Sequence, residues 1–233
     1  MQVFLTAGSP MRPDLKQQVW DCLGPRLSEL YGLSEGGATV IGCQDLLERP
    51  TSVGRPLPGF EARILDERGE LPRGEVGEIA FYGGWAMRRY QNRPEQTAEI
   101  IWHDARGRTF IRTGDVGRMD EDGFLYVVDR KKDMLIRGGE NIYCIEVEDA
   151  LCKHPAVMDA ALVGIPHHTL GEEPGAVVTL KPAAHATEEE LREFVAGRLA
   201  AFKVPVRVVF HDGVLPRNPN GKILKSELKS LFA

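Results

Sequence analysis

The chain has 233 residues, 42% of them hydrophobic and 27% charged, a balance typical of a folded globular protein with one large or two small cores. Its formal net charge of −5 argues against a nucleic-acid-binding protein, which would present a basic face to the phosphate backbone. No segment approaches the length of a membrane span and the first residues lack a basic leader, so we expect neither integral membrane association nor a signal peptide. The four cysteines include no CxxC pair, which favours reduced thiols and a cytoplasmic location.

Residues 1–50 predict a βα unit at the edge of an open sheet. Val3 to Leu5 is typical of a short buried strand that ends in the loop TAGSPM, and Arg12-Pro13-Asp14 opens a helix. Leu27 to Tyr31 predicts a second strand, which ends in YGLSEGG. The loops after the two strands should meet at one edge of the sheet, where open α/β sheets bind their ligands.

Residues 51–128 change to short strands separated by frequent turns. The runs FEARIL and EIAFY are strand-like, and proline and glycine punctuate the sequence between them. This pattern predicts a small β-barrel or a sandwich-like subdomain. A short helix is expected over Asn92 to Glu99, a turn at the TGD of Thr113 to Asp115, and a hairpin that turns at Glu121-Asp122-Gly123.

The stretch from Asp129 to Asn141, DRKKDMLIRGGEN, joins a predicted strand to a predicted helix. Its first residues are mostly charged, so we expect Asp129 to Met134 to be exposed. MLIR predicts a short strand, and Gly138-Gly139 permits backbone angles that other residues resist. A charged joint followed by a glycine turn suits a hinge, although the same residues also fit a solvated hairpin.

The C-terminal part predicts an α+β domain that starts near Asp129. Its elements, in chain order, are a helix over 145–151, strands over 160–165 and 175–180, a helix after 187, a strand over 206–210, the loop PRNPNGK and a closing helix. Thr187 and Glu190 form a capping box, which predicts the start of the second helix.

Four motifs in this order, YGLSE, TGD, DRKKDMLIRGGEN and PRNPNGK, resemble those of the adenylate-forming superfamily of acyl-CoA synthetases, luciferases and peptide-synthetase adenylation domains. The likeness extends from TAGSPM to the C-terminus and is closest to fatty-acid and aryl-acid CoA ligases. It implies an α/β plus α+β fold, with a partial N-terminal adenylation domain over 1–128 and a mobile C-terminal α+β domain over 129–233. Within the first domain, residues 1–50 would form a sheet edge and residues 51–128 the small β-barrel subdomain.

The resemblance implies a role for each motif residue. Glu35 would bind Mg²⁺, which prefers carboxylate oxygens, and Asp115 would accept hydrogen bonds from both ribose hydroxyls. Lys222 would neutralise the negative charge that builds as a carboxylate attacks ATP. The resemblance assigns catalysis to Lys222, Glu35 and Ser34, nucleotide binding to Gly8, Ser9, Pro10, Tyr31, Gly32, Asp115 and Arg130, the hinge to Lys132, and CoA binding to Gly138, Gly139 and Glu140. Lys225 is left outside this set.

The implied reaction makes acyl-AMP and pyrophosphate from a carboxylic acid and ATP, and then transfers the acyl group to CoA. The implied cofactors are ATP or AMP, Mg²⁺ and coenzyme A. The family's Ser-, Thr- and Gly-rich phosphate-binding loop is not found in the sequence, so we expect the chain to be a fragment that is inactive or impaired alone. A peptide-synthetase adenylation domain and a folded fragment without catalysis stay open as alternatives, as does a homo-oligomeric state.

Overall fold

The computed structural model describes residues 3–8, 11–219 and 221–232. The chain divides into two compact units, Met1–Lys131 and Lys132–Ala233. Across the described ranges, no helix combines the length and the apolar character that crossing a membrane requires. The four cysteines are free thiols.

The first unit begins with a four-stranded sheet of order β1-β2-β3-β4. Its strands are β1 (Phe4–Ala7), β2 (Leu27–Gly32), β3 (Ala38–Ile41) and β4 (Arg55–Pro56). Strands β1 and β2 are parallel and are joined by helix α1 (Pro13–Leu23), which begins with proline, a residue favoured at that position. Both carboxyl ends therefore lie at one edge, where Gly8 follows β1 and the YGLSE segment leaves β2. A short helix, α2 (Cys43–Leu46), contributes Leu46 to the apolar cluster of this sheet.

Helix α1 is attached to this sheet by a buried ion pair. The ammonium of Lys16 lies 2.5 Å from Oε2 of Glu29 on β2, and both residues are 3% exposed. Lys16 also donates to the carbonyl oxygen of Pro50 at 2.6 Å, and Oε1 of Glu29 accepts the backbone N–H of Met11 at 3.2 Å. These extra hydrogen bonds offset part of the cost of removing two charges from water. They also tie the segment after the TAGSP loop to β2.

A second sheet of five antiparallel strands completes the first unit. Its strands are β5 (Phe60–Leu65), β6 (Gly77–Gly83), β7 (Ile101–His103), β8 (Thr109–Met119) and β9 (Leu125–Arg130). They pair in the order β5-β6-β8-β7, with β9 also on β8, and helix α3 (Pro94–Ile100) precedes β7. The predicted fold class, α/β plus α+β, is confirmed. Within the described ranges no pairing joins β5 to β7 or β9, so this sheet is open and the predicted β-barrel is not closed.

The TGD of Thr113 to Asp115 does not form the predicted turn, because it lies within the 11-residue strand β8. Glu78 pairs with Val116 and Ala80 pairs with Arg112, so the whole TGD lies opposite a single residue of β6. Such a bulge is accommodated by a residue with positive φ, and Gly114 supplies it at +71°. Strand β8 continues because its pairing with β9 extends on both sides of Val116.

The predicted exposure of Asp129 to Met134 is wrong at the first residue. Asp129 is 1% exposed within β9, where it pairs with Val116 of β8. Its carboxylate accepts the backbone N–H of Arg130 at 2.7 Å. The five residues that follow Asp129 are exposed or partly exposed. The charge of the segment could not show that β9 continues to Arg130.

Glu78 on β6 holds the last residue of the first unit. Its Oε2 lies 3.0 Å from the ammonium of Lys131 and 2.9 Å from the guanidinium of Arg112. The backbone N–H of Lys131 donates to the carbonyl oxygen of Gly114 at 2.9 Å. Lys131 is therefore bonded to β6 and to the bulge of β8, and the next residue, Lys132, is exposed and begins the second unit.

The second unit is a five-stranded sheet with helices. Its strands are β10 (Leu135–Arg137), β11 (Glu140–Ile142), β12 (Val157–His167), β13 (Gly171–Leu180) and β14 (Arg207–Phe210). They pair in the order β11-β10-β13-β12, and β14 is parallel to β13. Its helices are α4 (Cys144–Cys152), α5 (Glu188–Ala196) and α6 (Lys225–Leu228), with 3-10 turns at Ala201–Lys203 and Lys229–Phe232.

Both faces of the central strands β12 and β13 are covered, as the alternation of their side chains requires. Leu162 and Val178 lie in a cluster with residues of α4 and α5, whereas Val163 and Val177 lie in a cluster with Leu215 and Leu228. The predicted capping box is confirmed: Thr187 accepts the N–H of Glu190 at 3.1 Å, and Glu190 accepts the N–H of Thr187 at 3.4 Å.

Candidate active site

Three predicted nucleotide-binding residues meet beside the bulge of β8. The hydroxyl of Tyr31, at the end of β2, donates to Oδ2 of Asp115 at 2.7 Å. Nε of Arg130 lies 3.6 Å from Oδ1 of the same carboxylate, because Asp115 and Arg130 pair across β8 and β9. Both oxygens of Asp115 are therefore oriented by neighbours, and the carboxylate is 16% exposed, enough to meet a ligand.

The bulge in β8 fixes the position of the Asp115 carboxylate. The N–H of Asp115 donates to Oγ1 of Thr113 at 3.0 Å, and Thr113 donates to the carbonyl oxygen of Ile79 at 2.9 Å. The aromatic ring of Tyr31 is supported by Phe81, with ring centroids 6.2 Å apart. Burial and the adjacent Asp115 carboxylate raise the pKa of Tyr31, so its hydroxyl keeps the proton that it donates.

A second cluster forms around Glu35, a few residues after Tyr31. Oε1 of Glu35 accepts the hydroxyl of Tyr90 at 2.8 Å, and Oε2 accepts the hydroxyl of Ser34 at 3.1 Å. Partial desolvation favours the neutral carboxyl, but the hydrogen bonds from Tyr90, the backbone and Ser34 outweigh it, so the pKa of Glu35 lies below its usual value. The carboxylate is thus held ionised. Desolvation and the bond to Glu35 raise the pKa of Tyr90.

The turn after Glu35 requires glycine. Gly37 has φ of +125°, and a Cβ built on it would lie 2.4 Å from Cγ of Phe81. The turn is also tied to the loop after β6, because the N–H of Met87 donates to the carbonyl oxygen of Glu35 at 2.7 Å. Gly32 ends β2 and pairs with Ala38. The backbone around Glu35 is therefore closely packed on β6 and its loop.

The TAGSP loop is described only in part. Gly8 is exposed and has φ of +90° at the edge where β2 also ends. Ser9 and Pro10, which the sequence analysis assigned to nucleotide binding, lie outside the described residues.

The predicted CoA-binding residues and the hinge residue lie in the second unit. Gly138 and Gly139, with φ of +59° and +91°, form the two-residue turn of the β10–β11 hairpin. Glu140 begins β11, pairs with Arg137 and is exposed. Lys132 is exposed at the start of the unit.

Lys222 also lies in the second unit, in the loop before α6. Its N–H donates to Oδ1 of Asn218 at 2.9 Å, and its carbonyl oxygen accepts the N–H of Asn218 at 2.8 Å. Gly221 precedes it with φ of +80°. Lys225, left outside the predicted site, lies 2.7 Å from Oε1 of Glu148. The two lysines of this motif therefore have different surroundings.

Sequence reasoning missed two residues of the site. Tyr90 lies 55 positions from Glu35, and nothing in the sequence links them. Thr113 belongs to the TGD motif, so attention to the hydroxyl that precedes Asp115 could have found it.

The described residues contain no cluster of three or more His, Cys, Asp or Glu side chains that could hold a metal ion. Glu35 offers an ionised carboxylate that accepts hydrogen bonds from two hydroxyls. Mg²⁺ commonly binds through one or two carboxylates together with substrate phosphates and water. The residues therefore fit a magnesium ion that arrives with a nucleotide.

Comparison with known proteins identifies the family of the chain. The sequence model of the family described as AMP-binding enzyme matches residues 1–91, and that of the AMP-binding enzyme C-terminal domain matches residues 146–222. The chain is 37% identical over 231 residues to the fatty acid–[acyl-carrier-protein] ligase ScoC of Streptomyces coeruleorubidus, covering 97% of this chain and 43% of that protein. It is 42% identical over 206 residues to the 2-succinylbenzoate–CoA ligase of Geobacillus kaustophilus, covering 88% of this chain and 41% of that protein.

A solved structure shows the same fold. ATP-bound MatB from Rhodopseudomonas palustris superimposes with a TM-score of 0.90 at 34% identity, over 100% of this chain and 46% of that chain. The chain thus spans less than half the length of these proteins. The resemblance inferred from the four motifs is confirmed, and the chain belongs to the adenylate-forming superfamily of AMP-binding enzymes, as a C-terminal portion of their fold.

Proposed function

We propose that the chain is part of an AMP-forming acid–thiol ligase. It would contribute the residues that bind the ribose of the nucleotide and the domain that carries the catalytic lysine. The observation that carries the proposal is the carboxylate of Asp115 in the bulge of β8, which is oriented by the Tyr31 hydroxyl and by Arg130. Two fixed acceptor oxygens suit the two hydroxyls of a ribose. The solved relative bound to ATP and the match to the AMP-binding enzyme family support this assignment.

The first step of the proposed reaction joins two anions. A carboxylate of the acid attacks the α-phosphate of ATP, the bond to pyrophosphate breaks, and acyl-AMP forms. Glu35, kept ionised by Tyr90 and Ser34, would hold the Mg²⁺ that accompanies the phosphates. Ser34 would lie near the α-phosphate, and the ammonium of Lys222 would neutralise charge in the transition state.

The second step transfers the acyl group to a thiol. The thiol of CoA attacks the carbonyl carbon of acyl-AMP, and AMP leaves. The glycine turn of the β10–β11 hairpin and Glu140 would line the approach of the thiol arm, and Lys132 would be the hinge about which the second unit moves. A carrier-protein thiol is the alternative acceptor, since one relative is named as a ligase for acyl-carrier protein.

We further propose that the chain alone is inactive or impaired in ligation. The chain carries no phosphate-gripping loop of the kind that the family uses, and the relatives have more than half of their length outside the matched region. Positioning of the triphosphate supplies much of the rate in such reactions. A folded fragment that binds nucleotide without turnover is the second candidate function, and the same feature favours it.

AMP binding by the chain tests the proposal. We expect calorimetry to detect AMP binding that Asp115→Asn weakens about tenfold, since one charge-assisted hydrogen bond is lost. Asp66→Asn is the matched control, because Asp66 caps a turn through Oδ1, an oxygen that asparagine retains. Equal AMP affinity of the chain and the Asp115 variant would refute the ribose assignment. Pyrophosphate release with a panel of acids, at a rate near that of a complete ligase, would refute the impaired state.

A further inference from the structure

The residues around Lys222 form a small closed hairpin. Arg217 and Ile223 pair as an antiparallel bridge. Inside that bridge Asn218 exchanges two hydrogen bonds with Lys222, and the N–H of Gly221 donates to the carbonyl oxygen of Asn218 at 2.9 Å. The backbone that carries Lys222 is therefore held by its own loop.

Arg217 connects this hairpin to the sheet of the second unit. Its Nη1 donates to the carbonyl oxygen of Gly221 at 2.5 Å, and its Nη2 donates to Oδ2 of Asp159 on β12. A guanidinium is planar, so the two N–H groups keep a fixed spacing and direction. The peptide bond immediately before Lys222 is thus linked through one rigid group to a strand of the core.

The other side of the hairpin is attached to the same part of the unit. Lys225 lies 2.7 Å from Oε1 of Glu148 on α4, and this oxygen also accepts the backbone N–H of Leu162 on β12 at 2.7 Å. Lys222 therefore lies between two charged attachments, both of which lead to β12.

We infer that Arg217 is a positioning residue, which fixes the root of the Lys222 side chain by holding the Gly221 carbonyl oxygen against Asp159. The inference rests on the catalytic role proposed for Lys222. A cation that neutralises a transition state is most effective when its position is set before the reaction begins. The lysine side chain has four rotatable bonds, so an ordered root removes one source of misplacement. The guanidinium does this without contact with substrate.

Hydrogen exchange of the full chain tests the attachment. In Arg217→Ala we expect the amides of Asn218, Gly221, Lys222 and Leu224, which donate hydrogen bonds within this hairpin, to exchange about tenfold faster, because a hydrogen bond from a charged donor is lost. Arg217→Lys should exchange as fast as Arg217→Ala, since an ammonium cannot hold both acceptors at the spacing of the guanidinium. Arg192→Ala is the matched control, because Arg192 donates to a different backbone carbonyl oxygen, that of Pro205. Unchanged exchange in Arg217→Ala, or full rescue by Arg217→Lys, would overturn the inference.

An acyl-phosphate derivative of ATP tests the link to Lys222. The lysine amine attacks the acyl carbon of the probe, an amide forms, ATP leaves and a proton is released. We expect the probe to label Lys222 in the unaltered chain and in Arg192→Ala, and to label it several-fold less in Arg217→Ala. Equal labelling in Arg217→Ala would overturn the positioning role. Absence of labelling in the unaltered chain would count against the proposed role of Lys222, and the exchange experiment would still decide whether Arg217 holds the loop.

Discussion

The two units hold their proposed functional residues in different ways. In the first unit the functional side chains bond to one another: Tyr31 and Arg130 to Asp115, and Ser34 to Glu35. In the second unit Lys222 is held through its backbone, by Asn218 and by the carbonyl group before it. A substitution in the first unit therefore disturbs its functional neighbours, whereas removal of the Lys222 ammonium leaves the described loop bonds in place. Binding and stability should therefore change together in the first unit, whereas the backbone bonds of the Lys222 loop should survive the loss of the ammonium.

The largest effect is expected from Lys222→Ala. In a ligation-competent preparation that supplies the phosphate-binding part of the fold, acyl-AMP formation should fall by roughly 10²–10³-fold, the cost of one preorganised electrostatic contact. Thioester formation from pre-made acyl-AMP and CoA should stay nearly unchanged. Lys229→Ala is the control, because Lys229 lies in the next turn and is 55% exposed. Equal loss in both half-reactions would make Lys222 a structural residue and would remove the contrast between the units.

Tyr31→Phe should affect binding and stability together. The variant loses a charge-assisted hydrogen bond to Asp115, so AMP affinity should fall by about tenfold and the free energy of unfolding by about 1–2 kcal/mol. The pKa of Tyr31 is raised in the folded chain, so its contribution is complete below the ordinary tyrosine pKa near 10 and declines as the pH rises above it. Urea unfolding at pH 7 and pH 10.5 measures this. Tyr82→Phe, in the adjacent sheet, is the control, and loss of affinity without loss of stability would contradict the coupling.

Tyr90→Phe should make the chain less stable at neutral pH by about 0.5–1 kcal/mol, a value reduced by partial exposure of the pair. The pKa of Glu35 is lowered in the folded chain, so the stability from its ionised form is present above the ordinary glutamate pKa near 4.3. This stability is lost as the pH falls through the lower pKa of the folded chain. The difference between the chain and its variant should therefore shrink between pH 5 and pH 3. A difference that grows in acid would show that Tyr90 does not stabilise the carboxylate.

The smallest effect concerns the boundary between the units. Trypsin should cut first after Lys132, because Lys131 is bonded to Glu78 and to Gly114. In Glu78→Gln, cleavage after Lys131 should increase by a factor of about two to five, since a partly exposed ion pair contributes roughly 0.2–1 kcal/mol. Mass spectrometry of the first fragments measures both sites. Degradation without a stable C-terminal fragment would contradict a second unit that folds independently.

Much of the fold could be predicted because its signals are local. Alternation located β5 and β6, and the Thr187 capping box located the start of α5. The bulge at Gly114 could not be predicted, because a glycine with positive φ serves a turn and a bulge equally well and the choice depends on β6 and β9. The burial of Asp129 has the same cause, since it depends on pairing with β8.

The site was predicted as separate motifs, and only the fold shows how they meet. The contact between Tyr31 and Asp115 spans 84 positions, and that between Glu35 and Tyr90 spans 55. The residues of a single motif do not indicate which residue, far away in the sequence, each of them will contact. The ion pairs of Arg217 and Lys225 could not be predicted either, because a basic residue near a lysine motif gives no indication of which carboxylate it will contact.

The buried pair of Lys16 and Glu29 limits how this chain can evolve. Loss of one partner leaves an uncompensated charge inside the protein, at a cost of about 3–5 kcal/mol, whereas joint replacement by apolar residues can be nearly neutral. A lineage that changes position 16 must therefore change position 29 at almost the same time, or tolerate a poorly folded intermediate. Because Glu29 also holds the backbone of Met11, descendants without the pair would need another way to fix the start of α1. Across homologues, the two positions should be exchanged as a unit.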